Sequence, residues 1–514
     1  MRAATINHNS EPRDYAPRDY APRDYAPRDY APLGLVSRVI VIGLMAVTVG
    51  APLAFGSVEP WSLAMLELLI VALLLLWGIN VVINRRLKIV FPSTALPLLA
   101  LLSLAVLQSA SYSIDAEATR LAAEVMLVLL VAFLLSTNFL ADPRVLSRLR
   151  NFLIIFGLAL AVFGMIQQFT WNGKFFWVVE LRRQPPSPFG PFVNHNHFAG
   201  FMEMLAPIPI VLVLRRAVRG GLAFIYGFAA AMMGLAVIMS LSRGGMISLV
   251  ASLMFVVAFG FRPRKTEWGM RNADRGMRNK TFNPDFDPAV ERTHKSAIRN
   301  PIPLAASRAG AMVVMLFTIG AGVWWVGADP VIRRVEKGEL TLDSPDNQSS
   351  GQPGKETFFQ SRGRIWRDTA AMIRANWVTG VGLGAYQTAY PIYTLRDGTT
   401  VTSQSHNDYL QILADAGIFG AIIALLFIFL VARDTLRASR HRNPVMAATA
   451  LGAASGLFAL MVHSLFDFNL QIPSNALLFL VLTSVVSRIA ADAKKGDHVV
   501  PEQAGTSLRM RAAV

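Results

Sequence analysis

The sequence predicts an all-α polytopic membrane protein with about twelve transmembrane helices and one large external loop between the ninth and tenth. Three observations predict it. Hydrophobic residues make up 53% of the 514 and charged residues only 16%, against about 25% charged in an average globular protein. Mean hydropathy is +0.43. Apolar runs recur from residue 36 to residue 487, and about 20 mostly apolar residues cross roughly 30 Å of hydrocarbon. This composition excludes a soluble enzyme, a disordered chain and a disulfide scaffold. Cysteine is absent, which also excludes thiolate metal sites and cysteine nucleophiles.

Residues 12–31 are four tandem copies of Pro-Arg-Asp-Tyr-Ala. The repeat alternates charge sign, offers little to bury and places Pro at every fifth position, so 1–35 reads as a disordered cytoplasmic tail. Partner binding is the alternative use for it. The long polar lead does not resemble the short basic start of a cleavable signal. Helices 1 to 8 are expected within 36–261, near 36–56, 61–82, 92–109, 119–140, 151–170, 196–214, 222–241 and 246–261. Ser242-Arg243-Gly244-Gly245 between the last two is either a hairpin or a kink in one span. A loop at 262–308 carries 11 basic and 5 acidic residues. Helix 9 is expected at 309–328, the external segment at 329–416, and helices 10 to 12 within 417–487, near 417–432, 446–463 and 473–487, ahead of a tail at 488–514.

Charge sorting gives the orientation. With the N-terminus inside, the cytoplasmic segments 1–38, 84–88, 141–150, 215–221, 262–308, 433–443 and 488–514 hold 35 of the 49 Lys and Arg residues. Nine of the other 14 fall in 329–416. Every short inside loop is basic, as the positive-inside rule requires. Both termini are therefore expected in the cytoplasm. The same sorting explains the net charge of +16, so no nucleic-acid partner is expected, and loop 262–308 reads as a linker touching anionic lipid head groups.

Ionisable residues within spans are costly and by default suggest function. Here they are Glu67, Glu124, Glu203, Arg243, His463 and Asp467, each near the outer end of its span. Taken singly, each could snorkel. Together they suggest a vestibule open to the outer face, and they count against a transporter, whose site would sit near the midplane.

In the external segment, Arg362 to Trp377 is patterned as an amphipathic helix. Ile365, Trp366, Thr369, Ile373 and Trp377 line one stripe, while Arg364, Arg367 and Arg374 line another. Such a helix can lie in the membrane interface and hold arginines where lipid diphosphates sit, since the guanidinium fork binds phosphate bidentately. Gly380-Val381-Gly382-Leu383-Gly384 follows a helix and lacks dinucleotide-binding spacing, so it reads as a flexible turn. Ser405-His406-Asn407-Asp408 then enters a helix ending at Gly417, with Ser405 or Asn407 as its cap. The helix dipole there favours a neutral His406, suited to act as a general base or to orient an acceptor. Asn194, Asn196 and His197 either bind sugar hydroxyls or cap the sixth span. Asp408 reads as structural. His195, His197 and Glu203 do not share one helical face, so no metal site is expected.

These motifs resemble the O-antigen ligase and O-antigen polymerase superfamily of bacterial membrane glycan transferases. The resemblance rests on Gly190-Pro-Phe-Val-Asn194-His-Asn196-His-Phe-Ala-Gly200, Ser242-Arg243-Gly-Gly245, Ser361-Arg362-Gly-Arg364-Ile-Trp366 and Ser405-His406-Asn407-Asp408-Tyr409-Leu410. The closing His463-Ser-Leu-Phe-Asp467-Phe-Asn469-Leu-Gln471 also matches. It spans about residues 36–487. It implies a GT-C-like fold in the bacterial inner membrane and a glycan moved from undecaprenyl diphosphate to an acceptor hydroxyl at the periplasmic face, without metal or cofactor. Arg243 and Arg362, with Arg364 beside them, would hold the diphosphate. His406 would activate or orient the acceptor, and Asn194, Asn196, His197, His463 and Asp467 are possible glycan or acceptor contacts. The implied acceptor is lipid A-core for a ligase or the growing glycan for a polymerase, with a protein O-oligosaccharyltransferase as a further alternative. A transporter or transport accessory for inorganic carbon is the reading from a different class.

Overall fold

The computed structural model describes residues 34–87, 89–140, 142–180, 188–260, 358–394 and 402–497. The repeat tail, the basic loop, the expected ninth span and the start of the external segment lie outside the described residues.

Two local rules set the helix starts. The first is an Asx cap that satisfies an otherwise orphaned backbone N–H. Asp115 accepts from Ala118 N ahead of α4 (Ala116–Phe139), and Asp142 from Arg144 N ahead of α5 (Pro143–Phe169). Asn194 and Asn443 play the same part before α6 (His195–Leu205) and α13 (Pro444–His463). The second rule is proline at the first helical position, where the missing N–H is not needed. It opens α2 (Pro60–Asn84), α5, α7 (Pro207–Leu214) and α13. The remaining helices are α1 (Leu35–Leu53), α3 (Ala95–Ser111), α8 (Gly221–Met239), α9 (Arg243–Gly260), α10 (Phe358–Ala375), α11 (Tyr386–Tyr393), α12 (Asp408–Ala438) and α14 (Pro473–Asp497).

Among the described residues ten segments are long and apolar enough to cross a membrane, and α3 is a shorter apolar helix. They match the eleven expected spans that fall within the described residues. Several run further than hydropathy marks. α5 begins eight residues before the expected 151, and α12 continues past 432 to Ala438, because arginines at a helix end can snorkel to water without breaking the helix. The sixth span breaks at Ala206 into α6 and α7, since Pro207 and Pro209 offer no N–H. The turn at 240–242 separates α8 from α9, with Leu241 at φ +59°, so Arg243 opens a helix of its own.

α13, α14 and the α6–α7 segment form the centre, with 78%, 83% and 89% of their apolar windows buried, against 17% for the peripheral α2. α13 packs on α7, α9 and α14. Its Ala448, Gly452 and Gly456 follow a small-xxx-small spacing that lets backbones approach closely in a membrane. A Cβ on Gly452 would lie 2.7 Å from Ile208 Cα, and one on Gly456 would strike the Met204 carbonyl. Alternation of the helices puts the starts of α6, α9, α12 and α14 and the end of α13 at one end of the bundle, together with α10 and α11. Arg85, Arg144, Arg215 and Arg433 lie toward the other end.

This packing makes a prediction. Gly456→Ala should destabilise the protein by about 1–3 kcal/mol through overpacking, whereas Gly50→Ala, with open space around its Cα, should be neutral. Thermal unfolding of both variants in one detergent would test it, and equal midpoints would contradict the close α13–α6 contact.

Candidate functional site

The site is organised by the turn that follows α13. His463 ends the helix, Phe466 N and Asp467 N donate back to the His463 carbonyl at 2.8 and 3.1 Å, and a 3-10 turn at Asn469–Gln471 leads into α14. The loop before α12 is bonded directly onto this turn. Asp408 N donates to Ser464 O at 2.9 Å, and Asn407 Nδ2 donates to Leu465 O at 3.0 Å. The Asp408 carboxylate accepts from Ser464 Oγ at 2.7 Å and from Leu470 N at 3.3 Å. Asp408 is thus structural, as expected. Asn407, and not Ser405, supplies the cap, accepting from Tyr409 N and Leu410 N at 3.0 Å. Ser405 braces the loop instead, its hydroxyl donating to Asn407 O at 2.8 Å.

Asp467 sits between two of the expected catalytic residues. One carboxylate oxygen is 3.4 Å from His406 Nδ1 and the other 3.7 Å from an Arg362 terminal nitrogen. Arg362 also donates to the Phe466 carbonyl. Asp467 and Arg362 are buried, while the His406 side chain keeps 32% exposure and is reachable from outside. His406 holds φ +52°, a left-handed conformation, with its ring facing Asp467. Its ring meets Phe468 edge-on at 5.0 Å, and Phe468 meets His197 at the same distance.

The electrostatics follow from those contacts. Burial by itself pushes the Asp467 carboxyl up, but the His406 hydrogen bond and the Arg362 and His406 charges hold it well below the usual carboxylate range. Burial pushes the Arg362 guanidinium down, the Asp467 carboxylate pulls it back up, and the neighbouring Arg243 charge pushes it down again. Two guanidinium groups therefore lie close enough to repel, with one carboxylate and one imidazole beside them. Such a grouping can hold a dianionic group on its arginines and take a proton at an imidazole nitrogen. With Nδ1 facing Asp467, Nε2 is the ring nitrogen turned away from the carboxylate.

The other expected residues divide. Glu203 and His463 pair with each other inside the bundle, Oε1 to Nδ1 at 3.0 Å. His197 is buried, and Asn475 Nδ2 donates to its carbonyl at 3.0 Å. Asn194 caps α6, accepting from Asn196 N at 2.8 Å, and Asn196 is half-buried at the same helix start. Arg364 is half-buried on α10, two residues from Arg362. Glu67 and Glu124 neighbour each other on α2 and α4. Asn475, which bridges His197 O and the Asn469 side chain, carries no motif and was legible only as a polar residue in an apolar run. Among the described residues no three His, Asp or Glu side chains are arranged to hold a metal ion.

Two expectations are corrected. The apolar stripe of α10 packs on protein along most of its length: Ile365 and Ile373 pack with Met372, Tyr386 and Tyr390, and Trp366 Nε1 donates to Ser405 O at 3.0 Å, whereas Trp377, just past the helix end, is 61% exposed. Gly380 to Gly384 is a packed anchor rather than a flexible turn. Gln108 Nε2 donates to Thr379 O and Asp415 O, both at 2.8 Å, and receives Leu383 N on its own Oε1 at 3.0 Å. Gly382, at φ +114°, lies where any Cβ would strike Ser113.

A bundle of membrane-crossing helices with a cation, imidazole and carboxylate site at one end defines a polytopic membrane protein with a buried polar centre open to one face. Residues 228–425 match the family model described as O-antigen ligase, which supports the resemblance to the O-antigen ligase and polymerase superfamily. The matched stretch contains Arg243, Arg362 and His406. A search for relatives among curated proteins returns no match.

Asp467→Asn should lower stability by about 3 kcal/mol or more, since it leaves a buried arginine without its counter-charge. The depressed Asp467 carboxyl contributes its full stabilisation above the ordinary value of 3.8 and loses it only as pH falls toward its own lower value. The deficit relative to wild type should therefore be the same at about pH 7.5 and about pH 4.5. Thermal unfolding at both would check this, and a deficit that shrinks at the lower pH would show the carboxyl already protonated there.

Proposed function

We propose that this protein is a glycan ligase of the bacterial inner membrane that moves a glycan from undecaprenyl diphosphate to a hydroxyl of lipid A-core at the periplasmic face, needing no metal or cofactor. The observation that carries the reading is Asp467, which holds Arg362 and His406 together with Arg243 alongside, in a chain with an O-antigen ligase region. The basic residues at the opposite end of the bundle support a cytoplasmic placement of that end.

In this reading the donor diphosphate lies against Arg243 and Arg362, with Arg364 in reserve, and its polyprenyl chain remains in the bilayer. The acceptor hydroxyl gives its proton to His406 Nε2 while its oxygen attacks the anomeric carbon. The bond from that carbon to the diphosphate oxygen breaks, and undecaprenyl diphosphate leaves with its new charge stabilised by the guanidinium groups. Preorganised donors of this kind contribute about 3–4 kcal/mol each. Asp467 keeps the His406 ring in register and stabilises it once protonated, so a single displacement suffices. The carboxylate that contacts His406 is already committed to Arg362, so the reading needs no covalent intermediate, in contrast to the paired acids of retaining glycosidases. The product anomer should accordingly be inverted relative to the donor. NMR of the transferred linkage would check this, and a retained anomer would exclude single displacement.

The function itself is tested in a deletion strain complemented with wild type or His406→Ala. The expected result for the variant is core-only lipopolysaccharide, with long glycan still on undecaprenyl diphosphate. Lipid A-core capped by a single repeat unit would make the protein a polymerase. If neither glycan pool changes, the transferase reading fails and a transport role takes its place.

A further inference from the structure

The Glu203–His463 pair has no part in the displacement just described, yet it is placed where it bears on one of its arginines. Both partners are sealed, with side-chain exposures of 0% and 1%. Both Glu203 oxygens address His463 Nδ1, at 3.0 and 3.2 Å, so the carboxylate fixes the ring's orientation. The opposite edge of the ring lies against the start of α9. A Cβ on Gly244 would come within 2.6 Å of Cδ2 and 2.7 Å of Nε2, and Nε2 has no hydrogen-bond partner. Gly244 therefore rests its bare Cα on the imidazole, and the residue before it is Arg243. His463 is also the first residue of the turn whose Phe466 carbonyl and Asp467 carboxylate hold Arg362.

A carboxylate enclosed at membrane depth is expensive, and an apolar residue would fill its space at less cost. Arg243 and Arg362 repel each other when nothing lies between them. Arg362 is held against that repulsion by Asp467. Arg243 opens α9, and the start of that helix is seated on an imidazole that a buried carboxylate keeps from rotating. We infer that Glu203 and His463 are positioning residues that set Arg243 opposite Arg362 at the spacing a diphosphate requires. The inference rests on the reading of Arg243 as a diphosphate contact.

The test uses the full chain in nanodiscs and measures affinity for undecaprenyl diphosphate, with undecaprenyl monophosphate for comparison. Arg243→Lys, Glu203→Gln and Gly244→Ala should each weaken diphosphate binding about tenfold, and Glu203→Gln combined with Arg243→Lys should be no weaker than Arg243→Lys alone, because one contact has been lost by two routes. Monophosphate binding should change far less. A Glu203→Gln loss that adds in full to that of Arg243→Lys, or no loss at all, overturns the inference and leaves the ligase reading intact. If Arg243→Lys itself leaves diphosphate binding unchanged, the donor reading of the site fails first. Should Glu203→Gln not fold, Gly244→Ala decides in its place, since it disturbs the same contact with both buried partners kept. An Ala variant that binds as wild type overturns the inference.

Discussion

The arrangement depends on one buried carboxylate. Asp467 lies where water cannot screen it, and a charge in that position persists only with partners of opposite sign and good geometry. Arg362 and His406 are those partners, and they come from an amphipathic helix and a loop that are otherwise joined by the Trp366–Ser405 hydrogen bond. The turn that presents Asp467 is in turn held by α13, whose Gly452 and Gly456 bring it against the backbones of α7 and α6. Tight packing in the centre of the bundle is thus what fixes the polar end. A looser α13 would let the carboxylate drift by the fraction of an ångström that separates an ion pair from two unpaired charges.

A second constraint ties the outer helices to the bundle. α12 contains a break at Gly417, φ +59°, and Ile418 N donates across it to Trp377 O at 2.9 Å. Val381 N donates to Ala414 O and Gly382 N to Asp415 O, at 2.9 and 3.0 Å, so the glycine loop after α10 satisfies the carbonyls of the helical turn that ends at the Gly417 break. Gln108 of α3 closes the group from the other side. Arg362 therefore belongs to a helix stitched at its far end to two membrane helices. The same stitching explains why the glycines are required: a Cβ on Gly380 would strike the Asp415 backbone, one on Gly382 the Ser113 side chain, and one on Gly384 would crowd Ala118 and Ala122.

The membrane helices were legible because crossing hydrocarbon imposes a length and a polarity on the sequence, and the Asx and Pro starts are local chemistry. Arg243, Arg362 and His406 were legible as motifs. What the sequence concealed was pairing at a distance. Glu203 meets His463 across 260 residues, and Arg362 meets the Phe466 carbonyl across 104, and no local pattern records such partners. The stripe of Ile365, Thr369 and Ile373 told which face of α10 is apolar but not whether lipid or Tyr386 would cover it. The glycine run failed for a related reason: in sequence, a glycine that needs freedom and one that needs thinness are identical.

The match at 228–425 encloses the groups proposed to do chemistry and omits those that hold them. Glu203, His463, Asp467 and Asn475 all fall outside it, as do α6, α7, α13 and α14, which make up the buried centre. The matched stretch begins partway along α8 and ends partway along α12, so neither boundary coincides with a packing boundary. Its two guanidinium groups would repel without Asp467, and its α9 would have no α13 to rest on. The matched region is therefore not a unit that could keep its own geometry. The reacting groups and their supports form one cooperative structure, in which a substitution at residue 203 or 463 reaches Arg243 as directly as a change in the α9 turn itself.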